Sequence, residues 1–435
     1  MSPSFVVARV FVCLVAFVAA LGKASALPDH HWHWPPDPAG RVVAIDLGNT
    51  NSCVAGYDSG DTTRTMFHHC IPSWVAFPDD DDGAVLVGED AMNHAAVVNP
   101  GAAVSGFKRL LGKRFTRVFE REFAQSVKEN LPYKVFEENA QVQVEVKTTK
   151  EDGGVRNVGV EQLTAAVLAK LKETAEAHLG HRVEAAVLTL PLAFSDYASR
   201  SAAVFAGRLA GLKAVSAVLS EPVAAAMAYG LSKSLRDEGN VVVLHVGGGT
   251  TEASVMTFVD GVYEALSSQY DPFFGGQDLD RRIVDHFVRQ IRDKHGRDIA
   301  DDSAALEKLR TACERAKKTL SHQDHAQVTV ESLVDGVDLS EPLTRAEFEE
   351  LNHDLFLKVV EMVDRVVSQA QVDTIDEVLL VGGSTMIPKV QELIRDYFGG
   401  TTKTVLHTRL KPDEVVTIGA AEYSKRPDAL CSSSC

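Results

Sequence analysis

Cysteine is scarce, with six in 435 residues and none spaced as Cys-x-x-Cys. That scarcity, and the absence of that spacing, argue against both a zinc site and a disulfide scaffold. Cys13 falls in an N-terminal leader, which leaves Cys53, Cys70, Cys313, Cys431 and Cys435, an odd number. Cys53 and Cys313 sit in a hairpin and a helix and are expected to be buried and free. Cys431 and Cys435 could bridge within a loose tail. Basic charge is also short, with 44 Lys and Arg against 60 Asp and Glu and a net charge of −16. Such a balance argues against a nucleic-acid partner. It leaves a nucleotide open, because backbone dipoles and a divalent cation can offset phosphate locally. No Asn-x-Ser/Thr acceptor occurs. Beyond the leader no apolar run is long enough to cross a bilayer, so no membrane span is expected.

The composition is otherwise that of a globular protein, 45% hydrophobic and 24% charged, long enough for two to three domains. Residues 1–26 read as a secretory signal: Arg9, an apolar run from Val10 to Leu21, then Ala24-Ser25-Ala26. A membrane anchor is the alternative, although the run is short for one. Residues 27–40 are rich in His, Trp and Pro and read as a flexible N-terminus, where His30, His31 and His33 could hold a metal only weakly. Asp79 to Asp82 read as a solvated loop, since they lack the alternating ligands of a calcium loop.

Against this background three glycine elements stand out. Val241 to Val246 is an aliphatic strand, followed by Gly247-Gly248-Gly249-Thr250 and a returning strand, Ala253 to Thr257. Glycine permits φ > 0 and close approach, so the tip of such a hairpin can present N–H groups to a phosphate. Arg41 to Tyr57 repeats the plan, with Asp46, Gly48, Asn49 and Thr50 between two apolar strands. Glu377 to Val381 is a strand running into Gly382-Gly383-Ser384 and a helix start near Pro388. The first two suggest an internal duplication: two similar lobes, each offering a phosphate hairpin to a shared cleft.

Between these elements, Pro72 to Phe77 reads as a strand and Phe107 to Gly112 as a basic turn. Helices are expected over Glu161–Leu179, Arg200–Ala210, from Ser220-Glu221-Pro222 onward, and over Asp280–His295 and Ala304–Leu320. In the last of these, Leu306, Leu309, Cys313, Ala316 and Leu320 form the buried face and Glu314, Lys317 and Ser321 fall elsewhere. Val328–Leu333 and the turn at Asp335 read as a hairpin, and Pro342–Ala370 as largely helix. The whole is α/β.

The segments IDLGNTNSCV, HVGGGTTEASV, LSEPVAAAMAYG and VLLVGGSTMIPKVQ resemble the ATPase domain of the 70 kDa heat-shock chaperones, and the leader points to their endoplasmic reticulum luminal branch. FKRLLGKRF, ETAEAHLG and PLTRAEFEELN separate this family from sugar kinases of the same fold. The resemblance spans about Arg41 to Ser424. It implies an actin-like ATPase fold with lobe I over 41–234 (outer part 76–151), lobe II over 235–424 (outer part 276–352) and a short tail, 425–435. It implies ATP or ADP with Mg²⁺, held through water by Asp46 and Glu221. Lys108 would orient the attacking water. Gly48, Asn49 and Thr50 would line the first phosphate hairpin, and Gly247, Gly248, Gly249 and Thr250 the second. Gly276, Glu314, Lys317, Lys318, Ser321, Gly382, Gly383, Ser384 and Asp413 match the nucleoside pocket. J-domain co-chaperones and nucleotide exchange factors are the partners implied. The chain stops before the family's peptide-binding β-sandwich and lid, so no autonomous peptide-client domain is expected, and no Lys-Asp-Glu-Leu-type signal is present.

Several positions depart from the family pattern. His245 stands where the family has an aspartate that belongs to the metal–water network and is a candidate proton acceptor. Glu252 replaces a second aspartate, Asn49 a threonine, and Met386 and Lys318 arginines that contact the adenine. An imidazole cannot supply negative charge to Mg²⁺, and a lost general base costs ~10²–10⁴ in rate. Nucleotide binding is therefore expected to outlast hydrolysis. The competing expectation is a pseudo-ATPase interaction module without turnover.

Overall fold

A computed structural model describes residues 42–58, 66–78, 84–147, 154–231, 238–300, 302–334, 337–399 and 404–425. Residues 1–26, read above as a signal, the His/Trp/Pro stretch, the acids at 79–82, Asp335, Cys431 and Cys435 lie outside the described residues.

The chain begins with an antiparallel meander of β1 (Val42–Asp46), β2 (Asn51–Tyr57) and β3 (Met66–Pro72). Helix α1 (Val160–Leu179) then leads to β4 (Ala185–Leu190), which pairs parallel with β1. Helix α2 (Tyr197–Leu209) leads to β5 (Ala214–Ser220), parallel to β4. Helix α3 (Glu221–Ala228) closes this half. The second half repeats the scheme. Strands β6 (Glu238–Val246), β7 (Thr251–Val259) and β8 (Val262–Asp271) form a meander. After α4 (Gly276–His295), α5 (Ser303–Leu320) and α6 (His353–Ala370), β9 (Glu377–Val381) pairs parallel with β6. Helix α7 (Pro388–Phe398) precedes β10 (Val405–His407), parallel to β9, and α8 (Val415–Ser424) ends the described chain.

The two five-stranded sheets are therefore wound identically, β5-β4-β1-β2-β3 and β10-β9-β6-β7-β8. This is the internal duplication expected from the hairpins, and the architecture is the actin-like α/β fold. The central strands follow from their composition. Every residue of β1, β4 and β9 is buried, which needs continuous apolar runs such as AAVLTL and EVLLV. Each sheet has its own hydrophobic core. A third cluster joins Ala224–Ala226 of α3, Val415 and Val416 of α8, and Val241, Val243, Leu379 and Val381 of the second sheet. Helix α8 also packs on β1 and β4, so α3 and α8 lie between the sheets.

Several expectations need correction. Cys53 is not free: it is disulfide-bonded to Cys70. The β2–β3 register places the two opposite each other, which a separation of 17 residues does not disclose. Cys313 is buried and free, as expected. The strand read over Pro72–Phe77 is broken at Ser73, whose hydroxyl bonds Gly48 O: Pro72 ends β3, and Trp74–Ala76 forms a separate strand. The basic turn at Phe107–Leu110 is a buried 3-10 turn. Pro342–Thr344 belongs to a strand (Val337–Thr344), because Thr344 caps the following helix with Glu347. Helix α4 starts at Gly276, where Asp278 reaches back to Gly275 N, and α2 starts at Tyr197 behind the cap Asp196. Lys317 turns into the structure, and Leu306 is only half-buried.

Candidate functional site

The first glycine hairpin is braced by two serines. Gly48 N donates to Ser52 Oγ at 3.2 Å, and Ser73 Oγ donates to Gly48 O at 2.8 Å. A Cβ at Gly48 would lie 1.7 Å from Asn51 O, so only glycine fits this turn. Among the described residues Thr50 Oγ1 is buried without a hydrogen-bond partner. A Cβ at Gly248, in the second hairpin, would come within 2.4 Å of that same oxygen. The tips of the two hairpins thus meet.

The other glycine elements close on the same point. Gly276 N donates to Gly247 O at 2.9 Å, and Gln277 N to Gly248 O at 2.6 Å. The N-terminus of α4 is thereby docked on the second hairpin. Ser384 Oγ also donates to Gly247 O at 2.9 Å. Gly382 has φ +85°, and a Cβ there would strike Val246 O at 2.4 Å. Lys317 Nζ donates to Gly276 O at 3.0 Å and pairs with Asp280 at 2.7 Å. Gly249 and Thr250 complete the turn, with Gly247 N donating to Thr250 O at 2.9 Å.

The ionisable residues form one chain. Glu221, the first residue of α3, contacts Lys108 Nζ through Oε1 at 2.5 Å and His245 Nδ1 through Oε2 at 2.8 Å. Burial alone would push Glu221 up, but Lys108 and then His245 outweigh it and hold the carboxyl at about 2. The same contact runs the other way at His245. Burial opposes the imidazolium, yet Glu221 prevails and raises its pKa. Asp46, ending β1, accepts from Thr189 Oγ1 at 2.6 Å. Burial first, and then the charge of Glu221, raises its pKa. Glu252 lies opposite His245 in the β6–β7 register and reaches the loop after β4, accepting from Leu192 N at 3.2 Å and Ala193 N at 3.1 Å. Burial and Glu221 push it up to about 7.

Asn49 is tied to Arg109 and Gly106. Its amide, oriented by these neighbours, donates to Gly106 O at 3.0 Å and accepts from Arg109 Nη2 at 2.5 Å. Arg109 in turn lies 4.9 Å from the centroid of Phe273, which follows β8. Arg109 and Thr189 were not singled out in the sequence. The Lys-Arg pair at 108–109 was the available signal for the first, and the strand end before Pro191 for the second.

The residues that match the family's nucleoside pocket in sequence are less uniformly gathered. Gly383 abuts Asp413, whose Cβ is 4.0 Å from where a Gly383 Cβ would stand, and Met386, whose Cε is 3.9 Å from it. Glu314 pairs with Lys318 at 2.7 Å one turn along α5, and the Lys318 side chain is otherwise solvent-exposed. Lys318 holds Glu314 below the usual carboxylate range against the effect of burial. Ser321 ends α5, and among the described residues no contact ties its side chain to the glycine elements.

The donor set suits a hydrated Mg²⁺. Asp46 and Glu221 offer hard oxygen ligands, and a divalent cation would relieve the repulsion that lifts Asp46. Among the described residues no helix is long and apolar enough to cross a membrane.

Comparison with known proteins follows the same lines. The family described as "Hsp70 protein" matches residues 42–425. The rice (Oryza sativa subsp. japonica) "Heat shock 70 kDa protein BIP3" is 47% identical over 385 residues, covering 87% of this chain and 56% of that protein. The Neurospora crassa "Heat shock 70 kDa protein" is 41% identical over 394 residues, covering 87% of this chain and 57% of that protein. The chain spans little more than half the length of these relatives.

Proposed function

Because the chain belongs to the Hsp70 family, we propose that it binds Mg-ATP and Mg-ADP between two lobes, 41–234 and 235–424, and hydrolyses ATP slowly. The observation that carries this reading is the meeting of four backbone elements at one point: the Gly48–Thr50 turn, the Gly247–Thr250 turn, the N-terminus of α4 and the Gly382–Ser384 turn. Glycines at each contact leave no room for a Cβ and bring backbone N–H groups within reach of an anion.

Phosphoryl transfer to water depends on positioning and charge neutralisation rather than on covalent chemistry by the protein. Mg²⁺, when bound, would supply positive charge that offsets the charge of the phosphates. The buried carboxylates Asp46 and Glu221 would hold its water shell. Thr50 Oγ1, buried and without a partner among the described residues, would donate to a phosphate oxygen. Lys108 orients the attacking water and faces developing charge on the γ-phosphate. Lys317 and Asp280 fix Gly276, and through it the second hairpin. His245 is where this centre is weak. Paired with Glu221 and favouring the imidazolium, it is a poor proton acceptor and adds positive charge where Mg²⁺ needs negative.

The test is calorimetry with Mg-ATP and Mg-ADP, followed by single-turnover hydrolysis. Binding with a rate well below that of the His245→Asp variant supports the proposal. Absence of heat with either nucleotide, at protein concentrations well above micromolar, overturns it. The His245–Glu221 contact also favours a second reading, an ATP-binding interaction module without turnover. A J-domain protein that stimulates turnover excludes that reading. J-domain co-chaperones and exchange factors are the proposed partners, protein folding the proposed process, and the endoplasmic reticulum lumen the proposed location. The last rests on the sequence of residues 1–26.

A further inference from the structure

The first sheet carries a row of facing residues that the nucleotide site uses only in part. In register, Thr189 of β4 lies beside Asp46 of β1, Asp46 beside Cys53 of β2, and Cys53 beside Cys70 of β3. Directly paired residues share a face of a sheet. His68, two residues before Cys70 on the same strand, shares that face too. Its Nε2 and Nδ1 lie 3.8 and 4.0 Å from Cys70 Sγ. The ligand atoms of Cys53, His68 and Cys70 all fall within 4.8 Å of one another. Strand β3 is the edge of its sheet, so the cluster has a route to solvent.

We propose that, once its disulfide is reduced, the Cys53–His68–Cys70 cluster is a zinc site with two thiolate ligands, one imidazole ligand and one open position. Reduction by a dithiol delivers two electrons to the S–S bond. Two thiols form on the chain, and the reductant leaves as its own disulfide. Zinc then displaces both thiol protons to solvent.

The backbone already suits this. The Cα atoms of Cys53 and Cys70 are 4.0 Å apart, on the close side of the ≈ 4.5 Å of a non-hydrogen-bonded antiparallel pair, whose side chains run alongside each other. Tetrahedral zinc with Zn–S of about 2.3 Å needs its sulfurs roughly 3.8 Å apart, a separation that χ1 rotation can supply once the bond opens. His68 is only partly buried, so its ring can reach an ion entering from the edge strand. Two soft sulfurs and an imidazole select zinc over magnesium or calcium, which prefer oxygen. The cluster contains none of the proposed nucleotide ligands, so this inference stands apart from the nucleotide reading.

Cobalt reports the ligands directly, because thiolate-to-metal charge transfer appears in the near-ultraviolet. The full chain, reduced with a phosphine and desalted without oxygen, is titrated with Co²⁺ and then with Zn²⁺. The expected result is about one Co²⁺ per chain with thiolate charge transfer and tetrahedral d–d absorption, both abolished by Zn²⁺. The oxidised chain and the Cys70→Ser variant should show neither. His68→Ala keeps both cysteines and should weaken Co²⁺ binding at least ~10-fold while retaining charge transfer. The site is refuted if the reduced chain lacks the charge-transfer band. It is equally refuted if Cys70→Ser leaves the band intact, or if His68→Ala binds Co²⁺ as tightly as the parent.

Discussion

His245 Nδ1 lies 2.8 Å from Glu221 Oε2, across the gap between the end of β6 and the start of α3. Lys108 holds the other oxygen of the same carboxylate. One buried carboxylate therefore contacts two basic side chains from different parts of the chain. The arrangement binds the halves of the molecule together at the point where a phosphate is proposed to sit.

That pairing makes a pH-dependent contribution to stability. His245 has its pKa raised in the folded chain, so its contribution is complete below the ordinary imidazole value of about 6.5 and is lost as pH rises through the folded value. Glu221 behaves oppositely: its contribution is present above about 4.5 and is lost as pH falls towards about 2. In urea unfolding of the ligand-free protein, the advantage of the parent over His245→Gln should be greatest near about pH 6 and shrink towards about pH 9. An advantage independent of pH across that range would show that His245 carries no charge there.

Glu252 gives the opposite sign above pH 4.5. Its carboxyl is pushed up to about 7, so ionising it in the folded chain costs stability that accumulates between about 4.5 and 7. Glu252→Gln removes the charge and keeps an acceptor for only one of Leu192 N and Ala193 N, which bond different carboxylate oxygens, so the gain is the charge relief less one lost hydrogen bond. It should stabilise the ligand-free protein by roughly 1–3 kcal/mol at about pH 8.5 and have little effect near about pH 4.5. Thermal unfolding of both proteins at the two pH values measures it. A destabilised variant at the higher pH would count against the assignment.

For hydrolysis, restoring a carboxylate at position 245 should return both negative charge and a proton acceptor. His245→Asp is expected to raise the single-turnover rate at least ~10-fold, or ~1.4 kcal/mol of barrier. Nucleotide affinity should change less than the rate. Asn49→Thr, which releases Arg109 from its amide contact, and Glu252→Asp should add gains that are not additive, as for residues acting as a unit. An unchanged rate in both the single and the triple variant, with ATP still bound, would rule out a damaged centre.

The glycine hairpins and buried strands were legible because their signals are local: apolar runs, then glycines where φ or close approach demands them. Lys108 and Glu221 came from resemblance, and nothing in their own surroundings showed that they would meet. The Cys53–Cys70 bond was hidden for a different reason. It depends on the register of β2 against β3, which the intervening loop sets and no periodicity discloses. Lys317 was misplaced because helical spacing assigns faces and says nothing of a long side chain turning to meet Asp280 on α4. Thr189 and Arg109 act through partners 143 and 60 residues away, beyond any window of sequence pattern.

Lys317 offers a test of how the second hairpin is supported. Its ammonium is buried against Asp280, whose pKa burial raises and Lys317 lowers. Lys317→Met leaves Asp280 without its partner and frees Gly276 O, and should cost roughly 3–5 kcal/mol. Adding Asp280→Leu removes the stranded charge and should restore much of that loss. Chemical denaturation of the parent, single and double variants measures both steps. If the double variant is no more stable than the single, the buried pair is not what the single change breaks.

The last prediction concerns Gly419 of α8, where two helices approach too closely for any side chain. A Cβ at this position would lie 1.7 Å from Ala224 O of α3, which is backbone and has no rotamer to yield. Helix α3 begins with Glu221, so displacing it moves the carboxylate that joins Lys108 to His245. Overpacking typically costs ~1–3 kcal/mol, and a backbone obstruction should place Gly419→Ala at the upper end. Gly180 supplies the control. It ends α1 in the left-handed region at φ +72°, with nothing within 4 Å of a Cβ. Gly180→Ala therefore pays only a conformational cost of ~1 kcal/mol and leaves α3 where it is. Urea unfolding should rank the two variants in that order, and only Gly419→Ala should also weaken Mg-ADP binding by calorimetry. Equal losses of stability with unchanged nucleotide affinity in both would show that the α3–α8 contact does not position Glu221.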